Sequence, residues 1–98
     1  MDFKVLVTDN AIADLKDIVE FVAQHDPTAA QRLAEKLLSR ALSLAQMPER
    51  FPLHDSSRGI RKMPSSPFLI FYTANTASRD VNILHFWHGA RQTPQFSA

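Results

Sequence analysis

Asp26-Pro27 splits the first half of the chain into two runs of helical period, and this break restricts the fold more than any other feature. Ahead of it, Ala11, Ile12, Leu15, Ile18, Val19 and Val22 recur at the spacing of one helix face. Asp14, Lys16, Asp17 and Glu20 occupy the other face. Thr8, Asp9 and Asn10 supply the side-chain oxygens that helix N-termini need. The pattern predicts an amphipathic helix of about four turns, ending near His25. Behind the break, Asp26 is placed to cap a second helix. Pro27 suits its first position, where a missing N–H would have had no partner anyway. Ala30, Leu33, Ala34, Leu37, Leu38, Ala41, Leu42 and Ala45 form the second apolar stripe, which predicts a helix to about Met47, closed by Pro48. So short a joint makes the pair an antiparallel α-hairpin.

The rest of the chain changes period. Residues 3–8, rich in Val and Phe, read as a strand that precedes the hairpin. Residues 48–67 read as irregular, with Pro48, Pro52, Pro64 and Pro67 and the turn-forming Asp55-Ser56-Ser57-Arg58-Gly59. Within them, Ile60-Arg61-Lys62-Met63 suits a short strand. Strands follow at Phe68–Thr73 and Val81–Trp87, joined by a polar turn at Asn75–Arg79. The expected fold is α+β in the order β-α-α-β-β-β: an N-terminal strand, the α-hairpin, then a three-stranded antiparallel sheet. The helices pack on one sheet face and leave the other partly open.

Length and composition narrow the possibilities further. The 98 residues fit one domain, spanning 1–98, and their hydrophobic fraction of 45% is that of a globular chain. Without cysteine there is no disulfide, thiolate nucleophile or cysteine-ligated metal. No basic segment followed by a long apolar one opens the chain, and no apolar run approaches a membrane span, so a cytoplasmic location is expected. The net charge of +1 hides an asymmetry. Residues 1–49 carry five Lys/Arg against eight Asp/Glu; residues 50–98 carry six against two, with three of the four histidines. The second half therefore suits an anionic partner, either nucleic acid or an acidic protein segment.

Few residues form a pattern that carries chemistry. With only Gly59 and Gly89, no phosphate-binding glycine loop is available, and no nucleophile elbow occurs. His85 and His88 stand three apart on a predicted strand, hence on opposite faces, and cannot chelate one ion. No metal or cofactor is expected. Arg32, Lys36 and Arg40 read as a solvated helix face. The best group is Arg61, Lys62, His88 and Arg91, with Tyr72 between them in sequence; it converges if the strands bearing it are neighbours. Arginines there would hold phosphate or developing negative charge, and His88 or Tyr72 would move protons. The same set would equally bind an acidic partner without chemistry.

The order and spacing of several short pieces resemble the ParE/RelE superfamily of bacterial toxins, also called plasmid-stabilisation proteins. They are Ala11, Asp14, Leu15 and Ile18; Pro27 and Ala30; Leu44 and Pro48; Gly59 and Arg61; Leu69-Ile70-Phe71-Tyr72; Val81 and Ile83; and His88-Gly89-Ala90-Arg91. The resemblance spans nearly the whole chain. It implies a toxin encoded beside a small antitoxin that wraps and silences it, as a hetero-oligomer or with a toxin homodimer. ParE-like members poison DNA gyrase by binding. RelE-like members cleave mRNA on the ribosome with basic residues and commonly a C-terminal tyrosine. Here no tyrosine follows Tyr72, and Phe96, which has no ionisable group, stands near the expected place. The resemblance thus favours a ParE-like, non-enzymatic gyrase inhibitor, with Arg61, Lys62, His88 and Arg91 as binding residues. The alternative is a RelE-like endoribonuclease using Arg61, Tyr72, His88 and Arg91. Histidine-bearing RNases in the superfamily keep His54, His85 and His88 in view. A homologue that has lost toxicity and serves only as an antitoxin partner is the third reading.

Overall fold

A computed structural model describes residues 2–90. The elements run β1 (Lys4–Val7), α1 (Asp9–Ala23), α2 (Pro27–Leu42), a 3-10 turn (Ser43–Ala45), a second one (Pro48–Arg50), β2 (Leu53–Asp55), β3 (Ile60–Ser65), β4 (Phe68–Asn75) and β5 (Asp80–His88). Both helix starts are where the capping chemistry put them. Thr8 Oγ1 accepts from the Ala11 N–H at 3.3 Å, and Asp26 Oδ1 from the Ala29 N–H at 3.1 Å. The second helix ends earlier than its apolar stripe suggested, because Ser43–Ala45 tighten into a 3-10 turn.

Among the described residues, the sheet expected to have three strands has five, ordered β1-β5-β4-β3-β2. β1 lies parallel to β5, and the other neighbours are antiparallel. β2, only three residues long and preceded by Pro52, is too short to leave a periodic signature. β3 runs beyond the expected Ile60–Met63, through Pro64 to Ser65. The register of β2 reaches only Ile60 and Arg61, so Pro64 sits where β3 has become an edge and needs no N–H.

The helices cover one sheet face. Ala11, Leu37, Ala41 and Leu44 meet Met63, Ile70, Tyr72, Val81, Ile83 and Phe86 in the core. A bulge makes this possible on β5: Phe71 pairs with His85 but Tyr72 with Ile83. The extra residue shifts the alternation, so Val81 and Ile83 are followed into the core by Phe86 rather than by His85. The opposite face then carries Lys62, Phe71, His85 and Trp87. Apolar side chains also remain at the surface, among them Ile12, Phe21, Leu42 and Met47.

Candidate functional site

Of the residues expected to converge if their strands were neighbours, the described ones, Arg61, Lys62 and His88, do not assemble into one site. β4 lies between β3 and β5, so the strands bearing Arg61 and His88 are not neighbours. Arg61 is in register with Tyr72, and His88 with Phe68, four positions further along β4. At about 3.4 Å per residue and 4.8 Å per strand, their Cα atoms are on the order of 16 Å apart. Lys62 faces away from both Arg61 and Tyr72, since neighbours on a strand alternate. Arg91 and Phe96 lie outside the described residues.

Arg61 and Tyr72 instead grip the connection between α2 and β2. Arg61 Nη1 donates to the carbonyls of Phe51 at 2.6 Å and Glu49 at 3.2 Å, and its Nη2 lies 3.5 Å from the Glu49 carboxylate. The Tyr72 side chain is fully buried and its hydroxyl donates to the Pro48 carbonyl at 2.5 Å. Burial pushes the Tyr72 phenol above its ordinary pKa, outweighing the opposing pull of the Arg61 and Arg50 guanidiniums. Arg50 completes the grip, donating to the carbonyls of Gln46 and Met47 and stacking over Phe51. The 24-residue separation of Tyr72 from Pro48 left no trace in the sequence pattern.

His88 belongs to a different surface. A groove of about 660 Å³ runs between α1 and the far end of the sheet, lined by Ile18, Phe21, Val22, Leu33, Phe68 and Trp87, with Asp14, Asp17 and His88 at polar positions. His88 packs edge-on against Phe68, and its Nδ1 accepts from the Ala90 N–H at 3.1 Å. Between them Gly89 donates its N–H to Pro67 at 2.8 Å; a Cβ there would lie 3.1 Å from that oxygen. The floor of the groove is fixed by Asp14. Its Oδ2 accepts from the Phe86 N–H at 3.2 Å and lies 2.7 Å from His85 Nδ1. β1 ends at Val7, in register with Ile83, so Asp14 takes over the free edge of β5 beyond it. Neither the groove nor the Asp14–His85 pair was foreseen; the two residues are 71 positions apart and no spacing rule links them. His85 and His88 fall on opposite faces, His85 beside Trp87 and His88 beside Phe68.

A family model described as the ParE toxin of the type II toxin-antitoxin system parDE matches residues 5–93. The chain belongs to this ParE toxin family. A relative named Toxin RelE2, from Caulobacter vibrioides, is 38% identical over 89 residues, covering 90% of this chain and 97% of its own. The fold agrees. A structure titled as the chromosomal ParDE toxin-antitoxin system from P. aeruginosa superposes with a TM-score of 0.72 at 19% identity, over 88% of this chain and 95% of that one. The RelBE2 toxin-antitoxin complex from Mycobacterium tuberculosis gives 0.69 at 21% identity, over 90% and 99%. This protein is therefore a toxin of the ParE/RelE superfamily, with the α+β fold that its sequence pattern predicted. Among the described residues, no helix is long and apolar enough to cross a membrane.

Proposed function

We propose that this ParE-family toxin acts in the cytoplasm by binding and inhibiting DNA gyrase, with no covalent chemistry of its own, and is neutralised by a cognate antitoxin. The observation that carries the reading is the employment of Tyr72 and Arg61. A catalytic phenol needs access to substrate and a pKa near working pH. Tyr72 is buried, engaged with the Pro48 carbonyl and shifted away from neutrality. Arg61 spends its Nη1 on two backbone carbonyls. Both therefore serve the fold, which supports a toxin that works through its surface. The apolar groove beside the exposed Phe21 is the surface best suited to the antitoxin, since a patch of this kind favours a protein segment over solvent.

Purified, antitoxin-free toxin is expected to block gyrase supercoiling in vitro. Full supercoiling at saturating toxin would remove the proposal. A second reading, ribosome-dependent mRNA cleavage, draws on the relative named Toxin RelE2 and on His88, whose imidazole lines the groove. Primer extension on translating ribosomes discriminates the two. Cleavage stops that vanish in His88→Ala, together with unhindered supercoiling, would replace the first reading by the second.

A further inference from the structure

Segment 46–51, between the first 3-10 turn and β2, is held more firmly than so short a connection requires. Arg50 takes the carbonyls of Gln46 and Met47, Tyr72 that of Pro48, and Arg61 those of Glu49 and Phe51. Five of its six carbonyls are thus occupied by three side chains, one of them fully buried.

Inside this grip Met47 adopts φ 47° and ψ 55°, the left-handed region. That conformation is unfavourable for a residue with a side chain, and a residue preceding proline is further pressed toward extended backbone. The other positive φ angles among the described residues, at Gly59 and Arg79, lie in the turns between β2 and β3 and between β4 and β5, where the chain must reverse. Met47 serves neither hairpin. Met47 is 76% exposed, the largest value among the exposed large hydrophobics of the described residues. An apolar side chain is therefore held in water on a strained backbone, in a segment that the buried Tyr72 ties to the core through the Pro48 carbonyl. Strain of this kind persists only where the surroundings impose it, and it gathers at functional positions.

We propose that segment 46–51 is a preorganised contact for the protein that this toxin inhibits, with Met47 as an apolar anchor that enters an apolar recess on that protein. The inference rests on the binding mode given under Proposed function. A thioether adapts to such a recess, and a rigid segment loses little freedom on binding. The Glu49 carboxylate is matched by Arg61 Nη2 at 3.5 Å, and the Arg50 guanidinium is turned onto backbone carbonyls, so the segment's most exposed feature is the apolar Met47 side chain, which suits an apolar protein recess and offers phosphate nothing. The contact is separate from the groove. Tyr72, which holds the segment, and Phe68, which lines the groove, are four residues apart on β4, about 13 Å.

Met47→Gly tests this, because it removes anchor and strain together, while Met47→Leu keeps an apolar anchor. Three readouts are compared with wild type: thermal midpoint, growth arrest on induced expression, and gyrase inhibition. The glycine variant is expected to melt no lower than wild type, yet to need at least about tenfold more protein for inhibition and to lose growth arrest. The leucine variant is expected to stay within about twofold of wild type. Undiminished arrest and inhibition by Met47→Gly overturns the contact, and a lowered midpoint overturns the strain on which it rests. If wild type arrests growth without inhibiting gyrase while Met47→Gly does neither, the gyrase reading falls and the contact stands. A wild-type chain that arrests no growth overturns both.

Discussion

Tyr72→Phe separates the grip on segment 46–51 from the packing of the ring. The substitution keeps the aromatic volume in the core and deletes only the hydroxyl that donates to Pro48 at 2.5 Å. Tyr72 is fully buried and Pro48 is buried too, so water does not readily replace the lost donor. Leaving one buried partner unsatisfied costs about 1–3 kcal/mol. For a domain of this length each kcal/mol lowers the melting midpoint by about 4–8 °C, so a drop of at least about 4 °C is expected. The pH dependence supplies an independent check. Burial raises the phenol pKa in the folded state above 10.0. Above pH 10 the unfolded chain has released this proton while the folded chain still holds it, so unfolding is favoured as pH rises. The contribution is intact below pH 10 and is lost as pH climbs toward the folded-state value, by at most about 1.4 kcal/mol per pH unit. Tyr72 is the single tyrosine of the chain, so an ultraviolet titration reads its phenol alone. Urea unfolding of wild type and Tyr72→Phe between pH 7 and pH 11 should show the loss of about 1–3 kcal/mol at neutral pH, with the difference shrinking as the medium becomes alkaline. Equal stability at neutral pH, or a phenol that titrates at its ordinary value in the folded protein, refutes the buried hydrogen bond.

Two further substitutions probe the scaffold. Leu37→Ala removes a fully buried side chain between α2 and the sheet and should destabilise by about 2–5 kcal/mol in urea unfolding; a loss below about 1 kcal/mol contradicts its core placement. Asp14→Ala removes the acceptor of the Phe86 N–H at the free edge of β5 and should cost about 1–2 kcal/mol. Amide hydrogen exchange at Phe86 should accelerate, and unchanged protection there argues against the bond.

Local pattern carried the elements a long way. The apolar spacing around Ala11 and Leu37 marked both helices, because a helix face is written into three- and four-residue intervals. Thr8 and Asp26 marked their starts, because a cap bonds an amide three residues on. The strands at Phe68 and Asp80 were legible for the same local reason, since their composition and turn chemistry are contiguous in the chain.

Three further features were decided by tertiary structure. β1 joins the sheet by pairing parallel to β5, across more than 70 positions, and no periodicity in residues 3–8 names a partner. The bulge beside Ile83 changes which side of β5 faces the core, so a strict alternation from Val81 would have turned His85 inward in place of Phe86. The candidate site depended most on this level. Arg61, Tyr72 and His88 were chosen by residue type, but what each does follows from strand order. β4 between β3 and β5 keeps His88 away from Arg61, and the register of Arg61 with Tyr72 commits both to the carbonyls of segment 46–51. The sequence by itself determined where helices and strands form, because those preferences are settled between near neighbours. Which side chains meet was decided by the order and register of the sheet, because these juxtapose groups whose separation along the chain leaves no local mark.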